Sequence, residues 1–384
     1  MKQNILFVIH TYNTGGAVSS LRSILHSGLS LRYGFKVFSI TRGYDHRKEF
    51  LKWDCGCNFL TESYFSDFAG FPIGRKMTAL PVKLLKSVSC LREKLQQAII
   101  KYTVRRVEKK VNPSLIIAFQ EGVTTEFCSF FRSPNKIAWI HSDNIGVMPV
   151  STDKLQLYLE YRKIVCVSEF TKGNFIFKYP SLKDRVCAIH NIFDQQDIVR
   201  KSKQKIDDKR FKTDLYTIIT VGRISYIKQL SQLPAVAFKL KNMGAQFRWY
   251  IIGGGNEGGE KERLDEELAK YNLNDMFVLL GNKPNPYPYF READLLVTNS
   301  SSEACPMIFN EAKILGLSIV SNNFGSAYEF LNSNEGDIIT TTDNMAEVIY
   351  LLIAKGKQKK AFRDVSSNSI EKITALIDEF CNPL

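Results

Sequence analysis

From one end of the chain to the other, short apolar runs end in glycine or polar loops that lead into segments with apolar residues at helical spacing. That alternation restricts the fold more than any other feature. Residues 4–10 run into Thr11-Tyr12-Asn13-Thr14-Gly15-Gly16 and then into 17–33, where Leu21, Ile24, Leu25 and Leu29 recur at helical spacing. Further strands are expected at 36–40, 57–60, 114–119, 136–141, 163–167 and 185–190. After a polar, lysine-rich stretch at 194–214 the pattern restarts, with strands expected at 215–221, 247–252, 276–280, 295–297 and 337–340 and helices beyond. Strands that alternate with helices build parallel sheets covered on both faces. A chain of 384 residues is too long for one core, and 44% hydrophobic with 12% aromatic residues excludes global disorder. The expectation is two α/β halves, 1–194 and 215–363, joined by a linker at 195–214, with a last helix at 364–380 that can cross back onto the first half.

Parallel α/β sheets bind ligands outside the C-terminal ends of their strands, which gives weight to Gly15, Gly16, His141, Ser168, Glu169 and Asn191. Two adjacent glycines let the backbone approach a ligand closely, and the helix start behind them offers N–H groups to an anion; a tight turn alone would also use them. His141, in Ala138-Trp139-Ile140-His141-Ser142-Asp143, is the best ionisable candidate of this half, although a histidine at a strand end can equally be structural. In the second half, Gly222-Arg223-Ile224-Ser225-Tyr226-Ile227-Lys228 follows a strand, and its Arg and Lys make a clamp for a diphosphate. Gly253, Gly255 and Gly258 satisfy G-x-G-x-x-G, a dinucleotide fingerprint, yet they follow the second strand of this half where the fingerprint belongs on the first. Gly281-Asn282-Lys283 reads as a base-recognition loop.

The stretch 294–329 carries two carboxylates, Glu303 and Glu311, eight residues apart. On one helix they would project to one side about 12 Å apart, too far for the paired acid and base of a glycosidase but suited to the two ends of a long polar ligand. The N–H groups of Met307, Ile308 and Phe309 would face the same ligand. A helix whose first glutamate merely complements the dipole is the plainer alternative.

Charge is unevenly placed. Residues 1–200 hold 29 Lys and Arg against 16 Asp and Glu, while 201–384 hold 23 of each, so the whole excess of +13 lies in the first half. Residues 71–110 carry eleven basic side chains, among them Arg75, Lys76, Lys83, Lys86, Arg105 and Arg106, against two acidic ones. With leucines and isoleucines interleaved, the stretch suits an anionic membrane surface or a solvated face; it matches no recognised nucleic-acid module. The eight cysteines form no C-x-x-C pair and have no histidine at zinc spacing, so they read as reduced, mostly buried residues and no metal site is expected. No apolar run is long enough to span a bilayer, and the N-terminus reads as a first strand instead of a signal peptide; the expected location is cytoplasmic, soluble or peripheral on the inner face of the cell membrane.

Taken in order, Gly15-Gly16-Ala17, His141 after a strand, Val167-Ser168-Glu169-Phe170, His190-Asn191-Ile192-Phe193-Asp194, Val221-Gly222-Arg223 with Lys228, and Glu303 with Glu311 followed by Ala312 and Gly316 resemble the retaining GT-B glycosyltransferases of family 4 (group 1). The resemblance covers nearly the whole chain and is strongest over 221–329. It implies the GT-B fold, two Rossmann-like α/β/α domains with parallel sheets facing across a cleft. It implies transfer of a sugar from a UDP- or GDP-sugar to a glycan or lipid-linked acceptor, such as a bacterial surface polysaccharide or lipopolysaccharide, with retention of configuration. Arg223 and Lys228 would hold the donor diphosphate beside Gly222, and Glu311 the ribose. Glu303 and His141 would meet the donor sugar, and backbone N–H groups around Met307 and Ile308 the sugar and phosphate. Gly15 and Gly16 would close the phosphate side. The family needs no divalent metal and no cofactor, in keeping with the absence of a D-x-D motif. Departures are Ala304-Cys305-Pro306 where glycine is usual, a later turn Phe324-Gly325-Ser326, and His190 where proline is frequent. An oxidoreductase using a nicotinamide cofactor on Gly253, Gly255 and Gly258 is the alternative from another class, and it leaves Arg223, Lys228, Glu303 and Glu311 without a role. A non-catalytic nucleotide-sugar-binding protein is the third.

Overall fold

The computed structural model describes residues 2–12, 15–41, 50, 52–54, 89–143, 152–212, 214–358, 361–363, 365 and 368–381. The strand expected at 57–60 and the basic residues Arg75, Lys76, Lys83 and Lys86 lie outside them. The chain divides into two compact units, residues 1–193 with 367–384, and residues 194–366.

In the first unit, β1 (Asn4–Ile9), β2 (Gly34–Ser39), β3 (Leu115–Ala118), β4 (Lys136–Ile140), β5 (Lys163–Cys166) and β6 (Val186–Ala188) form a parallel sheet in the order β2-β1-β3-β4-β5-β6. Its central strands are apolar along their whole length because helices bury both faces; Ile5 to Ile9 and Leu115 to Ala118 are inaccessible to solvent. The helices are α1 (Gly16–His26), α2 (Leu29–Arg32), α3 (Ser89–Val111), α4 (Val123–Ser129), α5 (Thr152–Leu159) and α6 (Glu169–Lys178). The single helix expected over 17–33 is thus two. Ser27 stops the first, its N–H reaching the Ser23 and Ile24 carbonyls and its hydroxyl donating to Ile24 O at 2.6 Å, the backbone competition that makes serine a poor interior residue. In α3, Ile100, Val104, Val107 and Val111 are buried while Lys101, Arg105, Arg106, Lys109 and Lys110 face outward.

The second unit opens with α7 (Gln195–Ser202), within the residues expected to be linker. Asp194 caps it, accepting from the Asp197 N–H at 2.9 Å, and the helix packs against two helices of the same unit, α10 (Tyr287–Glu292) and α11 (Met307–Ile314). The rest of the polar stretch is also tied down. Arg210 donates to the Leu279 and Leu280 carbonyls at 3.0 Å each, and Asp208 takes Arg210 at 2.6 Å and Lys283 at 2.7 Å. Those two cations hold the Asp208 carboxyl well below the usual carboxylate range. A run of charges reads as a linker by composition, yet here the charges are spent on specific partners.

The second sheet is β7 (Tyr216–Val221), β8 (Phe247–Ile252), β9 (Phe277–Gly281), β10 (Leu295–Thr298), β11 (Ser318–Asn322) and β12 (Ile338–Thr340), parallel in the order β12-β11-β10-β7-β8-β9. Further helices are α8 (Leu233–Asn242), α9 (Glu260–Lys270), α12 (Ala327–Phe330) and α13 (Met345–Ala354). No strand was expected at 318–322, because Ser318-Ile319-Val320 is brief and follows a helix after only Leu315-Gly316-Leu317; the sheet nevertheless needs it between β10 and β12. The last helix, α14 (Ser369–Cys381), belongs to the first unit. It packs against β3, and its Asp378 accepts from Arg32 at 2.6 Å and from the Tyr33 hydroxyl at 2.8 Å.

The strand order reverses between β7 and β10. Their backbone ladder covers only Leu295↔Ile218 and Leu296↔Ile219. Beyond it Thr220 Oγ1 donates to the Val297 carbonyl at 2.7 Å and accepts from the buried Trp249 Nε1 at 3.0 Å. A buried indole N–H and two divergent strands are therefore satisfied by one hydroxyl. The crevice at such a reversal, outside the strand ends, is where an α/β sheet offers a ligand site.

Candidate functional site

Two loops meet at that reversal. The first, after β7, is held from below by the glycine loop after β8. Gly222 N–H donates to Ile252 O at 3.0 Å, Ile224 N–H to Gly254 O at 2.9 Å and Glu257 N–H to Ile224 O at 3.1 Å. Ile224 is buried, which turns Arg223 outward. The two loops approach so closely that a Cβ on Gly253, whose φ is +150°, would lie 1.8 Å from the Gly222 carbonyl oxygen. The glycines that spell the dinucleotide fingerprint thus have a packing role here, seating the Arg223 loop. The Arg223 side chain is 76% exposed and meets Glu257 at 3.4 Å.

The second loop runs from β10 to α11 and holds Glu303. The helix begins at Met307, so Glu303 and Glu311 do not share one helix as the sequence spacing suggested: Glu303 lies in the loop before it. Pro306 at the helix start cannot cap with a side chain, and the Phe309 N–H is taken by the Pro306 carbonyl at 3.2 Å. Met307 and Ile308, both half-buried, present the first-turn N–H groups that an α-helix does not use internally. Glu303 Oε1 accepts from Lys228 Nζ and, at 2.8 Å, from Ser300 Oγ. Its main-chain carbonyl accepts from the buried Ser326 hydroxyl at 2.5 Å. Only 20% of the Lys228 side chain and 18% of Glu303's are exposed, so this ion pair is far better shielded than Arg223–Glu257. On α11, Glu311 Oε1 accepts from the hydroxyl of Tyr287, a residue of α10, at 3.1 Å. Asn282 is exposed after β9, while its neighbour Lys283 is committed to Asp208.

In the first unit, His141 follows β4. Glu121, after β3, accepts the His141 N–H at 2.8 Å, and the ring lies against Phe119 with centroids 4.8 Å apart. Burial pushes the imidazole down to about 3 and raises the Glu121 carboxyl, against the backbone N–H groups of His141, Glu121 and Ser142 that lower it. His141 is therefore neutral at ordinary pH, and its Nε2 is covered with no hydrogen-bond partner among the described residues. Gly15 and Gly16 are exposed at the start of α1; Gly15 is extended, with nothing within 4 Å of where a Cβ would stand. The other strand-end residues have structural partners. Ser168 caps α6, accepting the Thr171 N–H at 3.0 Å; Glu169 pairs with Lys172 at 2.9 Å; Asn191 accepts from the Ser20 hydroxyl of α1 at 2.8 Å.

Sequence reasoning missed Glu121, Glu257, Tyr287, Ser300, Asn322 and Ser326. Glu121 and Ser300 sit at strand ends, where the rule applied to His141 would have found them. Tyr287, Asn322 and Ser326 carry no local signal, because their partners are distant in sequence. Among the described residues no group of three or more His, Cys, Asp and Glu is placed to hold a metal, and no helix is long and apolar enough to cross a membrane.

Residues 201–368 match the family model described as glycosyl transferases group 1. Over its whole length the chain shares the fold of Anabaena HepE, crystallised with UDP and glucose, at 16% identity, 99% coverage of each chain and a TM-score of 0.69. That fold is GT-B, as the sequence led one to expect. In sequence the chain is 21% identical over 246 residues to an uncharacterised glycosyltransferase of Methanocaldococcus jannaschii, covering 58% of each. It is 25% identical over 219 residues to the N-acetylgalactosamine-N,N'-diacetylbacillosaminyl-diphospho-undecaprenol 4-alpha-N-acetylgalactosaminyltransferase of Campylobacter jejuni, covering 55% of this chain and 57% of that one. The chain spans about half the length of the curated relatives it matches.

Proposed function

We propose that the protein is a retaining, metal-independent glycosyltransferase that moves a sugar from a UDP- or GDP-sugar to a glycan acceptor. The observation that carries the reading is the shielded Lys228–Glu303 pair, set where β7 and β10 diverge between the exposed Arg223 and the uncapped start of α11. A diphosphate entering there displaces Glu303 from Lys228 and takes Arg223 as its second cation. Glu303, released, faces the donor sugar, and Glu311, oriented by Tyr287, takes the ribose hydroxyls. The acceptor hydroxyl attacks the anomeric carbon on the face from which the phosphate leaves. The carbon–phosphate-oxygen bond breaks, and the departing phosphate takes the hydroxyl proton. Fixed cations stabilise the charge that develops on the nucleotide, the role a metal ion plays elsewhere. In the first unit His141 is neutral with its Nε2 covered, so a sugar hydroxyl would reach that nitrogen only after the covering atoms move. The glycine loop after β8, already occupied in seating the Arg223 loop, gives no support to a nicotinamide site.

The acceptor we propose is lipid-linked, approached from the inner face of the membrane. Two things support it: the diphospho-undecaprenol named for the Campylobacter relative, and the outward row Lys101, Arg105, Arg106, Lys109 and Lys110 on α3 with the exposed Tyr102 among them. Flotation with anionic liposomes should weaken as salt rises, and binding that ignores salt would remove the membrane part of the proposal.

The function is tested by thermal shift against UDP-sugars, GDP-sugars and NAD, then by turnover with and without EDTA and by NMR of the product's anomeric configuration. One nucleotide sugar stabilises the protein, turnover survives EDTA, and the configuration is kept. A response to NAD alone, inversion, or loss of activity with EDTA would each overturn the corresponding part, and donor binding without any turnover would leave a binding protein.

A further inference from the structure

We infer that Asn322 is a positioning residue for Glu303, acting through Ser300 by imitating a peptide group. The inference rests on the proposed role of Glu303 and goes beyond it, because Asn322 lies on another strand and does not touch the carboxylate.

β10 and β11 pair in parallel up to Thr298↔Ser321. One residue further on, the main chain of β10 leaves the sheet, and its next polar groups would be buried without partners. The Asn322 side chain takes both groups of Ser300: the Ser300 N–H donates to Asn322 Oδ1 at 2.9 Å, and Asn322 Nδ2 donates to the Ser300 carbonyl at 2.8 Å. Asn322 is 9% exposed and Ser300 1%, so these bonds form away from water, where leaving either unmade carries its full desolvation cost. Asparagine is suited to this place because its amide carries one acceptor and a donor on one short stem, the pair a backbone peptide offers. The ladder is in effect extended by one rung made from a side chain.

What that rung holds is the residue that holds Glu303. Ser300 Oγ donates to Glu303 Oε1 at 2.8 Å, on the same oxygen that meets Lys228. The loop is pinned on both sides of Ser300. Asn299 Nδ2 donates to Gln232 Oε1 at 3.0 Å, its Oδ1 accepts from Thr342 at 2.7 Å, and Ser326, four residues past Asn322, holds the Glu303 carbonyl. With its backbone fixed, Ser300 offers Glu303 a hydroxyl that stays in place when a diphosphate draws Lys228 away. Glu303 then keeps its direction during the chemistry through Ser300, and Asn322 sets where Ser300 stands. A group held in this way affects the step in which the sugar reacts, and has little effect on how tightly the nucleotide binds.

The test compares Asn322→Ala, Asn322→Asp, Ser300→Ala, the double variant of Asn322→Ala with Ser300→Ala, and Glu303→Gln in the full chain, reading kcat, donor KM, nucleotide affinity and melting temperature. Asn322→Ala and Ser300→Ala are each expected to lower kcat roughly tenfold while donor KM moves less than about threefold, and the double variant to be no more than about twofold worse than the poorer single, because both act along one route. Asn322→Asp keeps the acceptor but sets a carboxylate against the Ser300 carbonyl; protonation restores a donor, so its kcat relative to the parent should rise as pH falls. If Glu303→Gln is impaired but folded Asn322→Ala or Ser300→Ala turns over like the parent, the inference fails and the function stands. Multiplicative losses in the double variant, or a KM that rises as far as kcat falls, would also overturn it. Full turnover in Glu303→Gln would overturn the inference and the role given to Glu303, while leaving the transfer reaction itself standing. Should Asn322→Ala not fold, Ser300→Ala, which removes only the hydroxyl, decides the matter.

Discussion

Replacing Gly253 by alanine tests whether the glycine loop after β8 exists to seat the Arg223 loop. A Cβ at Gly253 would stand 1.8 Å from the Gly222 carbonyl oxygen and 2.7 Å from its carbonyl carbon. Comfortable contact needs about 3.5 Å, so the two backbones must separate by more than about 1.5 Å. That separation strains the Gly222 N–H bond to Ile252 O and the Ile224 N–H bond to Gly254 O that fasten the loops together. Overpacking against backbone costs about 1–3 kcal/mol, and φ of +150° adds about 1 kcal/mol for a residue with a side chain. A loss of about 3 kcal/mol follows, which for a unit of this size lowers its melting temperature by about 6–12 °C. Arg223 and Lys228 ride on the displaced loop, so nucleotide affinity should fall as well. Gly254→Ala is the control. Its Cβ would meet the Asn282 side chain at 3.8 Å, ordinary contact, and its backbone needs no left-handed conformation, so its effect should stay within about 0.5 kcal/mol. Urea unfolding with a UDP-sugar thermal shift on both variants checks this. Equal stability and affinity in Gly253→Ala, or equal damage in Gly254→Ala, would refute the argument from close approach.

Arg223→Ala removes an exposed side chain whose contact with Glu257 is long, so stability should change by less than about 0.5 kcal/mol while nucleotide affinity falls at least tenfold; unchanged affinity in a titration would take Arg223 out of the donor site. Tyr287→Phe deletes the hydroxyl that donates to Glu311 and should weaken nucleotide binding about threefold to tenfold, the worth of one ordinary hydrogen bond, whereas a nucleotide lacking the ribose hydroxyls should bind both forms alike. His141 gains its proton near pH 6.5 in the unfolded chain and only at about 3 in the fold, so within that window the unfolded state carries the extra proton and this group makes stability fall as pH is lowered from 6.5. The raised Glu121 carboxyl works in the opposite direction. The difference between parent and His141→Phe isolates the histidine, and identical stability slopes over pH 4–6.5 would contradict its burial as the neutral form.

The expected strands and helices were read from local periodicity, and most of them stand within a few residues of where they were placed. Periodicity is a short-range property: alternate faces of a strand and successive turns of a helix are set by neighbours in the chain. Where a side chain spoke against its neighbourhood, the reading failed. Ser27 ends a helix that its flanking leucines would continue, and the charges at 194–214 read as solvent-facing although Asp208 and Arg210 have fixed partners. Residues 318–322 carry no strand signal, because a strand buried on both faces, brief and next to a helix, has no alternation to display.

Residue types at the site were equally legible, since Arg223, Lys228, Glu303 and Glu311 lie on loops where apolar periodicity stops. Their arrangement was not. Lys228 and Glu303 are 75 positions apart, and they meet because β10 returns to the far side of β7 instead of adding after β9, a choice made by packing across the whole sheet. The same order sets Asn322 beside Ser300 and lets a fingerprint of glycines serve as a floor for another loop. By itself the sequence determined the alternation, the two halves and the chemistry available at strand ends. Tertiary structure decided which ends are neighbours, because strand order is settled by the burial of surfaces that no local window of sequence contains.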